Sequence, residues 1–292
     1  MKVSTKIALA SAVGLILTGG IIATVGRAMG GMAAASQLAE NSPYWDLKNG
    51  ISIDYDALSN MSSEGDYTLT FKASDISNLD FEVGASKVTI VDNTTDDNIN
   101  VTIKNASYAS EDTSGTLGLR IKGNPTGKSN IVIAIPKGKS FYDVKLEMGA
   151  TDMEIESLIC SKFRVSAGAG DVSIGNLLSD DWSELKVAAG SLTIENAKLN
   201  DLDLECGAGD VQFTGVIEDD LNAECGMGNI TLKLHDKSEY HALNLEAAMG
   251  NITYNGVSKS GFVNEIEEDS EMESQYDIEC GMGNIDITFT ED

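Results

Sequence analysis

The chain is short of several things an enzyme or a nucleic-acid-binding protein normally carries. It has 2 histidines, 3 prolines and 6% aromatic residues in 292 positions. The histidines, His235 and His241, stand six residues apart and form no metal-type motif. No G-x-S-x-G, P-loop or H-E-x-x-H sequence occurs, so the common nucleophile, phosphate and zinc arrangements have no carrier. Basic residues are also scarce, with 20 Lys and Arg against 46 Asp and Glu and a net charge of −26. A surface so acidic repels nucleic acid, whose phosphates require cations, and favours cationic partners such as ions, basic peptides or basic envelope polymers. The expectation is a protein that is not an enzyme; a polysaccharide-acting enzyme, of the kind parallel β-helices can host, is a remote alternative.

Acids are absent from residues 1–39, which carry Lys2, Lys6 and Arg27. Ile7 to Gly26 is a run of twenty uncharged, largely apolar residues, the length a helix needs to cross a bilayer. Basic residues before it and an acidic body after it predict a single-pass signal anchor with a cytoplasmic N-terminus and an extracytoplasmic body. The alternative is secretion after cleavage near Ala35, in the Ala33-Ala34-Ala35 pattern. Residues 1–27 are thus read as the membrane segment and the Ala-, Gly- and Ser-rich residues 28–49 as a flexible spacer.

What is abundant is glycine, 29 residues, much of it in one recurring phrase. It reads CGAGDVQF from Cys206, CGMGNITL from Cys225, AAMGNITY from Ala247 and CGMGNIDI from Cys280. Looser copies begin at Val83, Met148, Ala167 and Val187. A period of 19–20 residues means stacked units that cannot bury an apolar face singly. Within each copy apolar residues alternate with polar ones, as in Val211, Ile230, Ile252 and Ile285 against Gln212, Thr231, Thr253 and Asp286, which is the signature of half-buried strands. A connector with its own apolar residue (Leu158, Leu177, Ala197, Val216) completes each unit. The predicted fold is all-β, a single-stranded β-solenoid of about 19–20-residue rungs behind one transmembrane helix. Residues 50–145, where the period is poorer, form the irregular N-terminal cap; residues 146–292 form the regular repeats, with an acidic insertion at 255–275 read as a solvated loop.

Cys206, Cys225 and Cys280 occupy a place that elsewhere holds Val, Met or Ala, so they read as core residues; a disulfide, or a metal or redox role, is the alternative. Asp152, Asp171, Asp210, Asn229, Asn251 and Asn284 share one turn position, where turn chemistry competes with calcium binding. The residue before the phrase is Glu82, Glu147, Glu205, Glu224, Glu246 or Glu279. Glu205, Glu224 and Glu246 fall on successive copies, and with Glu279 they form a candidate cation-binding stripe pointing outward. Solubility and protection against edge-to-edge association are the alternative role for this stripe.

The order SNLDFEVGASKVTIV, NIVIAIPKGK and then serial GAGDV and GMGNI copies resembles the putative-adhesin β-strand-repeat domain of bacterial envelope proteins, best known from Gram-positive bacteria. The resemblance covers about residues 50–290 and brings no catalytic residues. It implies a surface binding or structural module. Some membrane-anchored members of that family are linked to envelope-stress responses, so the alternative it implies is a sensing or regulatory component that captures cationic peptides or ions.

Overall fold

The computed structural model describes residues 61–123, 129–268 and 274–290. The expected membrane segment and spacer lie outside the described residues. Among the described residues no helix is long and apolar enough to cross a membrane.

The protein is all-β and solenoid-like. Among the described residues, sixteen strands form one continuous sheet. They are β1 (Gly65–Lys72), β2 (Asn78–Val83), β3 (Ser86–Asn93), β4 (Asn98–Thr113), β5 (Thr116–Gly123), β6 (Asn130–Pro136), β7 (Ser140–Ala169) and β8 (Val172–Ala189). There follow β9 (Leu192–Ala208), β10 (Val211–Ile217), β11 (Leu221–Met227), β12 (Ile230–Leu234), β13 (Ala242–Tyr254), β14 (Val257–Glu268), β15 (Gln275–Met282) and β16 (Ile285–Phe289). Strands β7, β8 and β9 are long because each runs around more than one side of the stack.

Each rung lies parallel on the next and in register apart from local shifts between Cys160 and Lys162, Ser179 and Trp182, and Phe213 and Gly215, so equivalent residues form columns. Val172, Leu192, Val211 and Ile230 make one inward column; Leu185, Leu204, Ala223 and Ile278 make another. All are buried. Alternation of side chains puts their neighbours outside, as the sequence pattern predicts. A third side stacks Ser157–Cys160 on Asn176–Ser179 and then on Asn196–Leu199. The connector residue of the fourth rung is not Val216 as the sequence suggested. Gly215 pairs with Ala197, Val216 with Lys198 and Ile217 with Leu199. A one-residue shift at Gly215, where φ is 152°, turns Val216 away from the core position.

The tight turn explains the second glycine of the phrase on the later rungs, a place that Ser86 and Thr151 hold in the copies at Val83 and Met148. Gly228 has φ 140°, and a Cβ there would lie 1.9 Å from the Gly209 carbonyl oxygen of the rung below. Gly283 repeats this over Gly228 at 1.6 Å. At these two turns rung spacing is therefore set by backbone against backbone, and only glycine fits.

The stack does not follow chain order at its ends. Strand β11 pairs with β15, and β15 with β13, so the last rung in sequence is tucked between two earlier ones. Antiparallel β14 then covers β13 along its length. The opposite end mirrors this arrangement. Rung β2–β3 sits between β7 and rung β5–β6, and antiparallel β4 covers both β5 and β6. Both covers are joined through two-residue turns with positive φ, Ser114-Gly115 and Asn255-Gly256, the geometry a tight hairpin prefers. A parallel stack left bare would offer its two end rungs for pairing, and antiparallel covers occupy them instead, with the polar, acidic β14 as the outer strand at one end. The acidic insertion is thus in large part strand β14 rather than a loop. It carries Glu265, Glu267 and Glu268, while residues 269–273 lie outside the described residues.

The tucked rung is fixed by aromatic and polar contacts at its start. Tyr276 is fully buried, donates its hydroxyl to the Ile217 carbonyl at 2.7 Å, and stacks on His241 at 4.1 Å between ring centres. His241 Nδ1 lies 2.7 Å from Ser274 Oγ, which donates to the Asp219 carbonyl at 2.6 Å.

Candidate functional site

One outer face of the stack carries two parallel columns of polar residues. The first, just before the phrase, runs in spatial order Arg120, Glu82, Glu147 and then Lys186, Glu205, Glu224, Glu279, Glu246, with Ser166 beneath Lys186. All four candidate residues stand in one row, but not as the sequence ordered them. Glu279 lies between Glu224 and Glu246, because its rung is tucked between theirs.

The two ends of this column differ in compensation. At the N-terminal end Arg120 pairs with Glu82 at 2.9 Å and Asp80 at 3.0 Å, and Lys145 with Glu147 at 2.8 Å. Farther along, Lys186 reaches Glu205 at 3.1 Å and Glu184 at 2.6 Å. Burial works against the charge on Lys186, but those two carboxylates outweigh it and hold the amine above its ordinary range. Beyond Glu205 no Lys or Arg of the described residues forms an ion pair with Glu224, Glu279 or Glu246.

The carboxyls record that imbalance. Partial burial, then the charges of Glu205, Glu279 and Asp203, push the pKa of Glu224 up; Lys186 opposes only weakly. Burial and then Glu246 and Asp277 push Glu279 up, although that residue keeps an exposed surface. Such shifts mean that the site favours the protonated carboxyl over the bare charge.

The second column shows how the same chain relieves stacking elsewhere. Asp203, Asn222, Asp277 and Asn244 alternate acid with amide on the same four rungs. Asn222 donates to Asp203 at 3.1 Å and Asn244 to Asp277 at 2.5 Å. The turn column does likewise: Asn229 donates its backbone N–H and its side-chain amide to Asp210 at 3.0 and 2.8 Å. Asn284 repeats this on Asn229, and Asn251 on Asn284. These oxygens are therefore engaged in holding successive turns together, an amide ladder of the kind stacked strands favour. Among the described residues no group of three or more His, Cys, Asp and Glu side chains is arranged to hold a metal ion.

The cysteine row is interior. Cys206, Cys225 and Cys280 stack on successive rungs, all buried and free of disulfides. Hydrogen bonding to Cys225, and then burial, push the thiols of Cys206 and Cys280 up. The fourth cysteine, Cys160, is raised to about 12 by burial. His241 is buried against Tyr276 and its pKa is lowered by that burial, with Asp236 at 3.4 Å opposing the shift. The two histidines have different surroundings, since His235 Nδ1 lies 3.4 Å from Thr290 Oγ1 at the other side of the connector.

Sequence reasoning passed over one further column. The third place of the phrase holds Ala150, Ala169, Ala189 and Ala208 on the earlier rungs, but Met227, Met282 and Met249 on the last three. The change from Ala to Met is visible in the sequence; the adjacency of the three follows from the stacking.

A family model described as Toastrack DUF4097 matches residues 60–280. The chain belongs to the Toastrack DUF4097 family. The resemblance to bacterial envelope adhesin-type domains drawn from the sequence thereby holds, and the Toastrack match spans the N-terminal tucked rung and the acid column, ending within β15. No curated protein matches this Toastrack chain. Several solved structures are similar. A putative cell adhesion protein from Clostridium sporogenes ATCC 15579 is 13% identical, with TM-score 0.31, covering 78% of this chain and all of that one. A putative adhesin from Bacteroides fragilis NCTC 9343 is 14% identical, with TM-score 0.38, covering 78% of this chain and 98% of that one. A putative lipid binding protein from Parabacteroides distasonis ATCC 8503 is 15% identical, with TM-score 0.31, covering 78% and 97%.

Proposed function

We propose that this Toastrack chain is an extracytoplasmic surface-binding module, held to the membrane by Ile7–Gly26, whose binding face is the column Glu205–Glu224–Glu279–Glu246. Binding rather than catalysis is the activity. The observation that carries the reading is the contrast between neighbouring columns on the same rungs. One alternates Asp with Asn and so relieves its own repulsion; the other stacks four glutamates with a lysine at one end only. Like charges one rung apart, about 4.8 Å, destabilise a sheet unless something screens them. A cationic partner laid along the stack supplies that screening and is attracted by the net charge of the whole body. Basic peptides and basic envelope polymers have the required chemistry.

Two measurements test this reading. Protease added to intact cells should degrade the body if it is extracytoplasmic; full protection would overturn the placement. Polylysine binding to the full-length chain should weaken about tenfold or more in the Glu224→Gln/Glu279→Gln variant, roughly the effect of losing 1.4 kcal/mol, and should fall steeply with salt. Equal affinity of variant and parent would remove the column from the binding face.

A further inference from the structure

The methionine row has no structural necessity. The same turn place accepts alanine on four other rungs, so the fold does not require a long side chain there. Yet Met227, Met282 and Met249 are Cα partners on three successive rungs. Met282 and Met249 are 39% and 46% exposed, an unusual surface placement for large apolar side chains. Each methionine is followed by a glycine, and Met227 and Met282 are preceded by one as well, so little side-chain bulk crowds the sulfurs. The row is bounded by Ala208 on one side and by the β14 cover strand on the other, where Phe262 is the Cα partner of Met249.

We propose that Met227, Met282 and Met249 form a binding site for a soft monovalent cation, Cu(I) or its analogue Ag(I). Thioether sulfur is a soft, neutral donor and selects such ions over hard cations such as calcium or magnesium. Rungs are about 4.8 Å apart, and methionine has three flexible torsions, so the outer two sulfurs can lean toward the middle one and enclose a single ion. The outward glutamates Glu224, Glu279 and Glu246 stand three residues earlier on the same three rungs and supply a negative field that draws a cation to the row. The cysteines are a separate matter, since their side chains lie in the core and present no sulfur to this face. This inference does not rest on the docking role of the glutamate column, because its ligands are a different set of side chains.

The test uses the full-length chain labelled with [13C]methyl-methionine and titrated with Ag(I) in chloride-free buffer. The methyl signals of Met227, Met249 and Met282 should shift together and saturate at one equivalent, while those of buried Met148 and Met153 stay in place. Binding should persist at pH 4, because thioethers do not titrate whereas the glutamates do. Met282→Leu, at the middle of the row, should weaken binding at least tenfold. A cysteine-free chain (Cys160→Ser, Cys206→Ala, Cys225→Ala, Cys280→Ala) should bind as the parent does; Ser179, Ala167 and Ala247 already occupy those columns. Unmoved methyl signals in the parent, binding indifferent to Met282→Leu, or binding lost at pH 4 would each overturn the proposal, the last assigning the ion to carboxylates. Loss of binding in a cysteine-free chain whose methyl spectrum stays native would assign it to the thiols. If that chain does not fold, the parent's methyl shifts decide.

Discussion

Replacing Glu224 by glutamine should stabilise the protein. Glu224 has a glutamate one rung away on each side, Glu205 and Glu279, and sits beside Asp203. Two unit charges about 4.8 Å apart repel by roughly 0.9 kcal/mol in a water-like dielectric and roughly 3.5 kcal/mol at an effective dielectric of 20. The side chains can splay and water reaches them, so the lower end applies, and removing both repulsions yields about 1–2 kcal/mol. Glutamine also gains what Asn222 already has beside it, an amide able to donate to the neighbouring carboxylate. For a body of this size the gain corresponds to a melting temperature higher by about 2–8 °C at pH 7.5 and low salt. The pH dependence fixes the cause. The folded pKa of Glu224 lies above its ordinary value of 4.5, so the native state binds the proton more tightly than the unfolded chain does. Its contribution is therefore most favourable below pH 4.5 and is lost as pH rises through the folded value. The advantage of glutamine should accordingly be present at pH 7.5, shrink in 1 M salt and vanish near pH 4. Thermal melts of parent and variant at the two pH values measure it. A variant that melts lower at pH 7.5, or gains equally at pH 4, would refute the reasoning.

Other outcomes follow from the same geometry. Gly228→Ala places a Cβ 1.9 Å from the Gly209 carbonyl at a positive φ and should lower stability by about 3 kcal/mol or more, read as a fall in denaturation midpoint. Tyr276→Phe leaves the Ile217 carbonyl without its donor inside the stack and should lower stability by about 1–3 kcal/mol in the same assay. His241 is buried with its pKa lowered from 6.5, so its contribution is present above pH 6.5 and lost as pH falls through the folded value; replacing it by asparagine should flatten that part of a stability–pH curve. A thiol reagent at neutral pH should label none of the four cysteines in the native protein and all four after unfolding, since all are buried and Cys160 is raised to about 12.

The repeated phrase made the stacking legible because alternation assigns each residue to the inside or the outside, and the buried columns Val172–Leu192–Val211–Ile230 follow it. The glutamate row was legible for the same reason. Its internal order was not. Copies at Cys225, Ala247 and Cys280 have interchangeable registers, so Glu224 could rest on Glu246 or on Glu279 with the same pattern. The choice is made by the β13–β14 hairpin, which occupies the far side of β13, and by Tyr276 and Ser274 anchoring the tucked rung. The hairpin did announce itself, since Asn255-Gly256 between Tyr254 and Val257 is a strong two-residue turn signal. The glutamates that follow hid the strand, because an edge strand's polar residues look like those of a loop. Val216 was misplaced for a smaller reason, a one-residue shift at a glycine that alternation cannot anticipate.

The glutamate column depends on the tucked rung, and a double-mutant cycle tests that dependence directly. Stability should be measured for Glu224→Gln, Glu279→Gln, Glu246→Gln and the pairs. Adjacent rungs predict a coupling of about 0.5–1 kcal/mol between positions 224 and 279, and almost none between 224 and 246, two rungs apart. Strong coupling of 224 with 246 and none with 279 would contradict the stacking order, and with it the acid column described above.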